Sequence, residues 1–109
     1  MTTVVFSHGK ESGPWGSKIT TLSNVASDMG FGVESIDYQD LDCPEARLAR
    51  LKEFIAEKCN DVVLVGSSMG GYVSLAAASQ ISARGVFLMA PALYLPNYEI
   101  QRFPYDGYV

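Results

Sequence analysis

Residues 62–71 read Val-Val-Leu-Val-Gly-Ser-Ser-Met-Gly-Gly, and no other stretch of the chain restricts its fold so tightly. The four apolar residues 62–65 form the unbroken run expected of a central parallel strand covered on both faces. The next five match G-x-S-x-G, and only in one register. Centring the pattern on Ser67 would require glycine at Val65 and Met69. The pattern describes a sharp strand-to-helix turn that strains its central residue, here Ser68, and lifts that side chain clear of the sheet. Small residues two before and two after, Gly66 and Gly70, leave room for such a turn, and Gly71 adds more. An alanine-rich stretch over 69–81 then predicts a helix.

The rest of the chain repeats this strand-then-helix alternation, which predicts a parallel sheet with crossover helices. Strands are expected over 3–6, 33–38, 62–65 and 86–89. Helical spacing of Ile19, Leu22, Val25, Ala26 and Met29 predicts a helix over 17–29. Ser17 is its expected N-cap and Gly30 its left-handed terminator. A second helix should start near Pro44 with Asp42 or Cys43 as cap. Leu48, Leu51 and Ile55 mark its buried stripe, and Arg47, Arg50, Lys52, Glu53 and Glu57 are read as its solvated face. The fold class is therefore α/β, a three-layer sandwich with right-handed crossovers and strand order 2-1-3-4. That order puts the loops after strands 1 and 3 side by side at the carboxyl edge, where open α/β sheets bind ligands.

Bulk properties narrow the function classes. With 109 residues the chain fits one domain, and its net charge of −4 gives no electrostatic case for nucleic acid. Phosphate-binding patterns G-x-G-x-x-G and G-x-x-x-x-G-K-[ST] are missing. Cys43 and Cys59 lack C-x-x-C spacing and are expected to be reduced thiols. The opening MTTVVFSHG has no basic leader followed by a long apolar core, and no apolar run approaches the roughly 20 residues of a membrane span. A cytoplasmic location and no membrane contact are the expectation.

The G-x-S-x-G turn makes Ser68 the candidate nucleophile. Backbone N–H groups opposite it would form an oxyanion hole, one from Met69, the residue after the serine, and one from the loop after an adjacent strand. In that loop, Ser7-His8-Gly9-Lys10, the Lys10 amide is the expected second donor and Gly9 lets the backbone turn into place.

Taken together, HGKESGPWGSK and VGSSMGGY resemble the α/β-hydrolase superfamily, and within it the small bacterial YqiA-like esterases. Those pair an HGF-x-S-x-P-x-S-x-K loop with a V-G-S-S-L-G-G-Y elbow. The resemblance covers nearly the whole chain, including Pro91-Ala92 after the fourth strand. It implies an esterase or related acyl hydrolase of small-molecule esters or thioesters that needs no cofactor; separately, a lone histidine without nearby ligands makes a poor metal site, so no metal is expected. It also implies that His8, the chain's single histidine, holds the oxyanion loop in place with Gly9 and is not the base. Lys10 departs from the apolar residue common at its position, which should alter the pocket wall more than a main-chain donor.

In this fold the triad runs serine, then acid, then histidine along the chain. After Ser68 the only acids are Glu99 and Asp106, and no histidine follows. The expectation is a partial α/β-hydrolase fold, truncated at its C-terminus and catalytically incomplete as this chain. Competing readings are an acyltransferase and a non-catalytic module derived from a hydrolase. Self-association through the exposed sheet edge or the aromatic tail is the partner contact such a module would use. The tail aromatics Tyr94, Tyr98, Phe103, Tyr105 and Tyr108 are expected either to line an acyl pocket or to pack on the sheet edge.

Overall fold

The structure, a computed structural model, describes residues 2–105 and 107. Its elements run β1 (Thr2–Ser7), α1 (Ser17–Asp28), β2 (Gly32–Ile36), α2 (Pro44–Lys58), β3 (Asp61–Ser67), α3 (Met69–Ala78) and β4 (Gly85–Met89). All strand pairs are parallel and the order is β2-β1-β3-β4, as the sequence predicts. Alternation along each strand sorts side chains to two faces. Val5, Val62 and Leu64 pack with Leu48, Leu51 and Ile55 of α2 and Tyr72, Val73 and Ala76 of α3. Val4, Phe6 and Val65 pack with Ile19 and Ala26 of α1 on the other face. One helix covers a four-stranded sheet incompletely on this side, so Phe87 of β4 stays half exposed. Among the described residues, no helix is long and apolar enough to cross a membrane.

Helix ends show where local chemistry departs from expectation. Ser17 is the first helical residue and Gly16 the N-cap, with no side chain capping the turn. Gly30 does end the helix, at φ +89°. Its N–H donates to the Ser27 carbonyl and that of Phe31 to the Ala26 carbonyl, the paired bonds of a Schellman motif. Cys43 is the N-cap of α2, again without a side-chain bond. Strand β2 stops at Ile36, two residues early, because Ile36 pairs with Ser7 at the end of β1. The Tyr38 N–H turns away and donates to a ring nitrogen of His8.

Two expectations about side chains are corrected. Arg47 does not belong to the solvated face of α2; only 1% of it is exposed. The described part of the tail packs chiefly on helix α3. Tyr98 packs on Tyr72 of α3 with ring centroids 4.4 Å apart and planes tilted by 56°, and Phe103 meets the same ring edge-on at 6.0 Å. The Ile100 N–H donates to the Tyr72 hydroxyl, and the Tyr105 hydroxyl to the Ala83 carbonyl. Together with the sheet and α2, these residues cover helix α3, all ten of whose residues are buried. Tyr94 remains exposed, and Tyr108 and Asp106 lie outside the described residues.

Candidate active site

Three carboxyl ends meet at one edge of the sheet. Ser7 pairs with Gly66, and Ser67 with Met89, so β1, β3 and β4 finish level with one another. The chain leaves β3 through Ser68 at φ 55°, ψ −119°, a region that favours glycine, and enters α3 at Met69. The surroundings over-determine this turn. The Ser68 N–H donates to the Met89 carbonyl at 3.1 Å, and the Ser68 carbonyl accepts from Gly71 and Ala92, both at 2.9 Å. A Cβ on Gly70 would collide with the Ser7 carbonyl, and one on Gly66 with the Gly70 backbone. Helix α3 can therefore start hard against the end of β1 only because both positions lack a side chain. Ser68 itself is exposed, and its hydroxyl has no hydrogen-bond partner among the described residues.

The loop after β1 lies over this turn. An ideal Cβ on Gly9 would stand 3.3 Å from the Ser68 Cβ, so a side chain there would crowd the serine. Gly9, Lys10, Glu11, Ser12, Ser67 and Ser68 border one open cleft. Among the described residues, neither the Lys10 nor the Met69 N–H donates a hydrogen bond to the protein. Among the described residues, no tail aromatic borders this cleft.

Beneath the loop sits a buried polar cluster. His8 has no exposed surface; its Nδ1 stands 2.7 Å from the Gly9 carbonyl, and its Nε2 accepts from the Tyr38 N–H at 2.9 Å. These partners fix the tautomer: Nδ1 carries the proton and Nε2 the lone pair. Both nitrogens are engaged, so the ring has none to offer Ser68. Ser7 Oγ and the Tyr38 hydroxyl, both buried, share a 2.8 Å bond. Arg47 Nε donates to the Leu41 carbonyl at 2.8 Å, Nη1 to those of His8 and Gly9 at 3.2 Å, and Nη2 to that of Lys10 at 3.5 Å. Its guanidinium also lies over the Tyr38 ring, 5.4 Å from the centroid.

Reading the sequence by residue type missed Arg47. A signal was available: positions 44, 47, 48, 51 and 55 share one helical face, and Arg47 is the polar member of that buried stripe.

Burial is the main force lowering the pKa of His8, opposed by its bond to the Gly9 carbonyl, reinforced by nearby Arg47 and opposed again by Asp37. A base whose pKa falls on folding binds its proton more readily when unfolded, so its contribution is complete above the unfolded value of 6.5 and is lost below it. Stability is expected to decline as pH falls below about 6.5, where the unfolded chain takes up a proton that the folded His8 resists. Urea denaturation across that range checks this. His8→Gln should flatten the decline, and an unchanged slope in the variant would assign it to other groups.

The family model described as uncharacterised protein family UPF0227 matches residues 3–101. The chain belongs to that family. Among solved structures, this UPF0227 chain is 33% identical to a protein of Xanthomonas campestris pv. campestris assigned to the alpha/beta hydrolase superfamily. The TM-score is 0.84, and the match covers 94% of this chain and 65% of that one. A protein of Agrobacterium vitis S4, provisionally named a hydrolase, matches at 23% identity and TM-score 0.66 over 84% of this chain and 42% of that one. A structure reported for LipS and LipT, metagenome-derived lipolytic enzymes, matches at 21% identity and TM-score 0.62 over 88% of this chain and 44% of that one. The last two likenesses concern the fold alone. A search of curated proteins gives no match. The UPF0227 chain thus has the α/β-hydrolase fold and spans less than two thirds of the length of its Xanthomonas relative.

Proposed function

We propose that this chain carries the nucleophile half of a serine hydrolase acting on carboxylic esters or thioesters through a Ser68 acyl-enzyme. One observation carries the reading: an exposed serine in a strained turn, on a cleft it shares with Lys10, while the Lys10 and Met69 backbone amides donate no hydrogen bond among the described residues. In this mechanism a base takes the Ser68 proton while Oγ attacks the carbonyl carbon. The N–H groups of Met69 and Lys10 receive the oxyanion of the tetrahedral intermediate. Met69 opens α3, so the helix dipole adds positive potential there. Collapse expels the alcohol or thiol, and a base-activated water then releases the acid from Ser68.

The base and its carboxylate partner are proposed to lie beyond this chain. His8 is committed at both nitrogens, and Glu99 belongs to the tail segment packed on Tyr72. The chain's coverage of 65% of the Xanthomonas protein is consistent with that division.

The test is to trap the intermediate. A family polypeptide holding this segment together with an acid and a histidine is mixed with p-nitrophenyl acetate, quenched in acid and digested for mass spectrometry. Acetyl on Ser68 is expected, and none in Ser68→Ala. Acetyl on another residue, unaffected by Ser68→Ala, would refute the assignment.

A further inference from the structure

Arg47 is the least expected group in the molecule. Its guanidinium is buried, and among the described residues no carboxylate stands within ion-pair distance of it. A buried cation of this kind is costly unless hydrogen bonds compensate it. Four backbone carbonyls do so, and three belong to the consecutive residues His8, Gly9 and Lys10. Most of the guanidinium is thus given to the backbone of one short loop, and its Nε to Leu41 in the loop after β2.

The consequence follows from peptide geometry. A trans peptide is planar, and its C=O and N–H point in opposite directions. The Gly9 carbonyl and the Lys10 N–H belong to the same peptide. That carbonyl accepts from His8 Nδ1 at 2.7 Å and Arg47 Nη1 at 3.2 Å on the interior side, and from Ser12 Oγ at a longer 3.4 Å. Fixing the oxygen inward turns the Lys10 N–H outward, to the cleft that Gly9, Lys10 and Ser68 border. Glycine at position 9 offers little steric resistance to rotation of this peptide, so its orientation depends on the donors to its carbonyl, of which the Ser12 bond at 3.4 Å is the longest. A positively charged donor on the carbonyl also polarises the amide and strengthens its N–H.

We infer that Arg47 is a positioning residue: its guanidinium holds the Gly9–Lys10 peptide with the N–H turned to the cleft, keeping the second oxyanion donor formed before substrate arrives. This rests on the oxyanion role proposed above for Lys10. Lysine at position 47 would not be equivalent, because one ammonium cannot span the carbonyls that the planar fork reaches.

The test reads the N–H direction itself. Residual dipolar couplings of the 15N-labelled chain in a dilute aligned medium report each amide vector. In the wild type the Lys10 coupling should fit the orientation described here, and a misfit beside well-fitted strands would overturn the inference. In Arg47→Met the Lys10 coupling should change while those of β1 and β3 hold; an unchanged Lys10 coupling would overturn it. Should Arg47→Met fail to fold, Arg47→Lys decides. It keeps the charge and should move the Lys10 coupling part of the way, and no movement overturns the inference. Ser68 phosphonylation by a fluorophosphonate separates this inference from the reading it rests on. Loss of the donor should slow it by about 10²–10³-fold. A turned N–H with an undiminished rate would leave the positioning role standing and remove Lys10 from the oxyanion hole.

Discussion

A UPF0227 polypeptide that supplies a triad acid and histidine to this segment is expected to hydrolyse p-nitrophenyl esters about 10⁶-fold faster than the 109-residue chain alone. The reason is the state of the Ser68 hydroxyl. Without a base it stays protonated at neutral pH, and attack on an ester loses its proton acceptor. The chain's own histidine cannot substitute, since Nδ1 is bound to the Gly9 carbonyl and Nε2 to the Tyr38 N–H. What remains is oxyanion stabilisation and binding, which in a stripped triad leave roughly 10³–10⁴ over water. Assaying the two polypeptides side by side, each with its Ser68→Ala variant, checks this. Comparable Ser68-dependent turnover by both would mean that His8, or another group in this chain, acts as base.

Ser68→Gly is expected to make the protein more stable as it removes the nucleophile. At φ 55° and ψ −119° the serine occupies backbone space that favours glycine. Strain of that kind costs about 1–3 kcal/mol, held in place by the bonds from Met89, Gly71 and Ala92. Glycine relieves it but gains freedom in the unfolded chain, an opposing effect of about 0.5–1 kcal/mol. The net expectation is a gain of about 1 kcal/mol. Ser68→Ala keeps a Cβ and therefore the strain, so its stability should stay near the wild type. Urea midpoints with unchanged slopes decide the matter. Equal stability of the glycine and alanine variants would show that the turn stores no strain.

What the sequence made legible was the part governed by local pattern. Apolar runs and helical spacing located the strands and helices of the described residues, and the expected strand order 2-1-3-4 is the one observed. The G-x-S-x-G register singled out Ser68, because only that arrangement lets α3 start against β1 with glycines at 66 and 70. Less legible were features set by contacts across many residues. Arg47 looks like a surface residue by type; it is buried because three carbonyls of the loop after β1, about forty residues earlier, turn toward it. The tail had no period to read. Its place over Tyr72 depends on ring contacts from Tyr98 and Phe103 that no local signal encodes. Strand β2 ended early for a similar reason, since the Tyr38 N–H finds His8 instead of a neighbouring strand.

The central claim is that Ser68 faces an oxyanion hole built from the Met69 and Lys10 amides, and a crystal structure of the Ser68 phosphonate adduct tests it most directly. The expected result is one phosphonyl oxygen about 2.7–3.1 Å from both the Met69 and the Lys10 nitrogens, with the Gly9 carbonyl still turned to Arg47. An adduct whose oxygens reach neither nitrogen, or one carried by a residue other than Ser68, would contradict it.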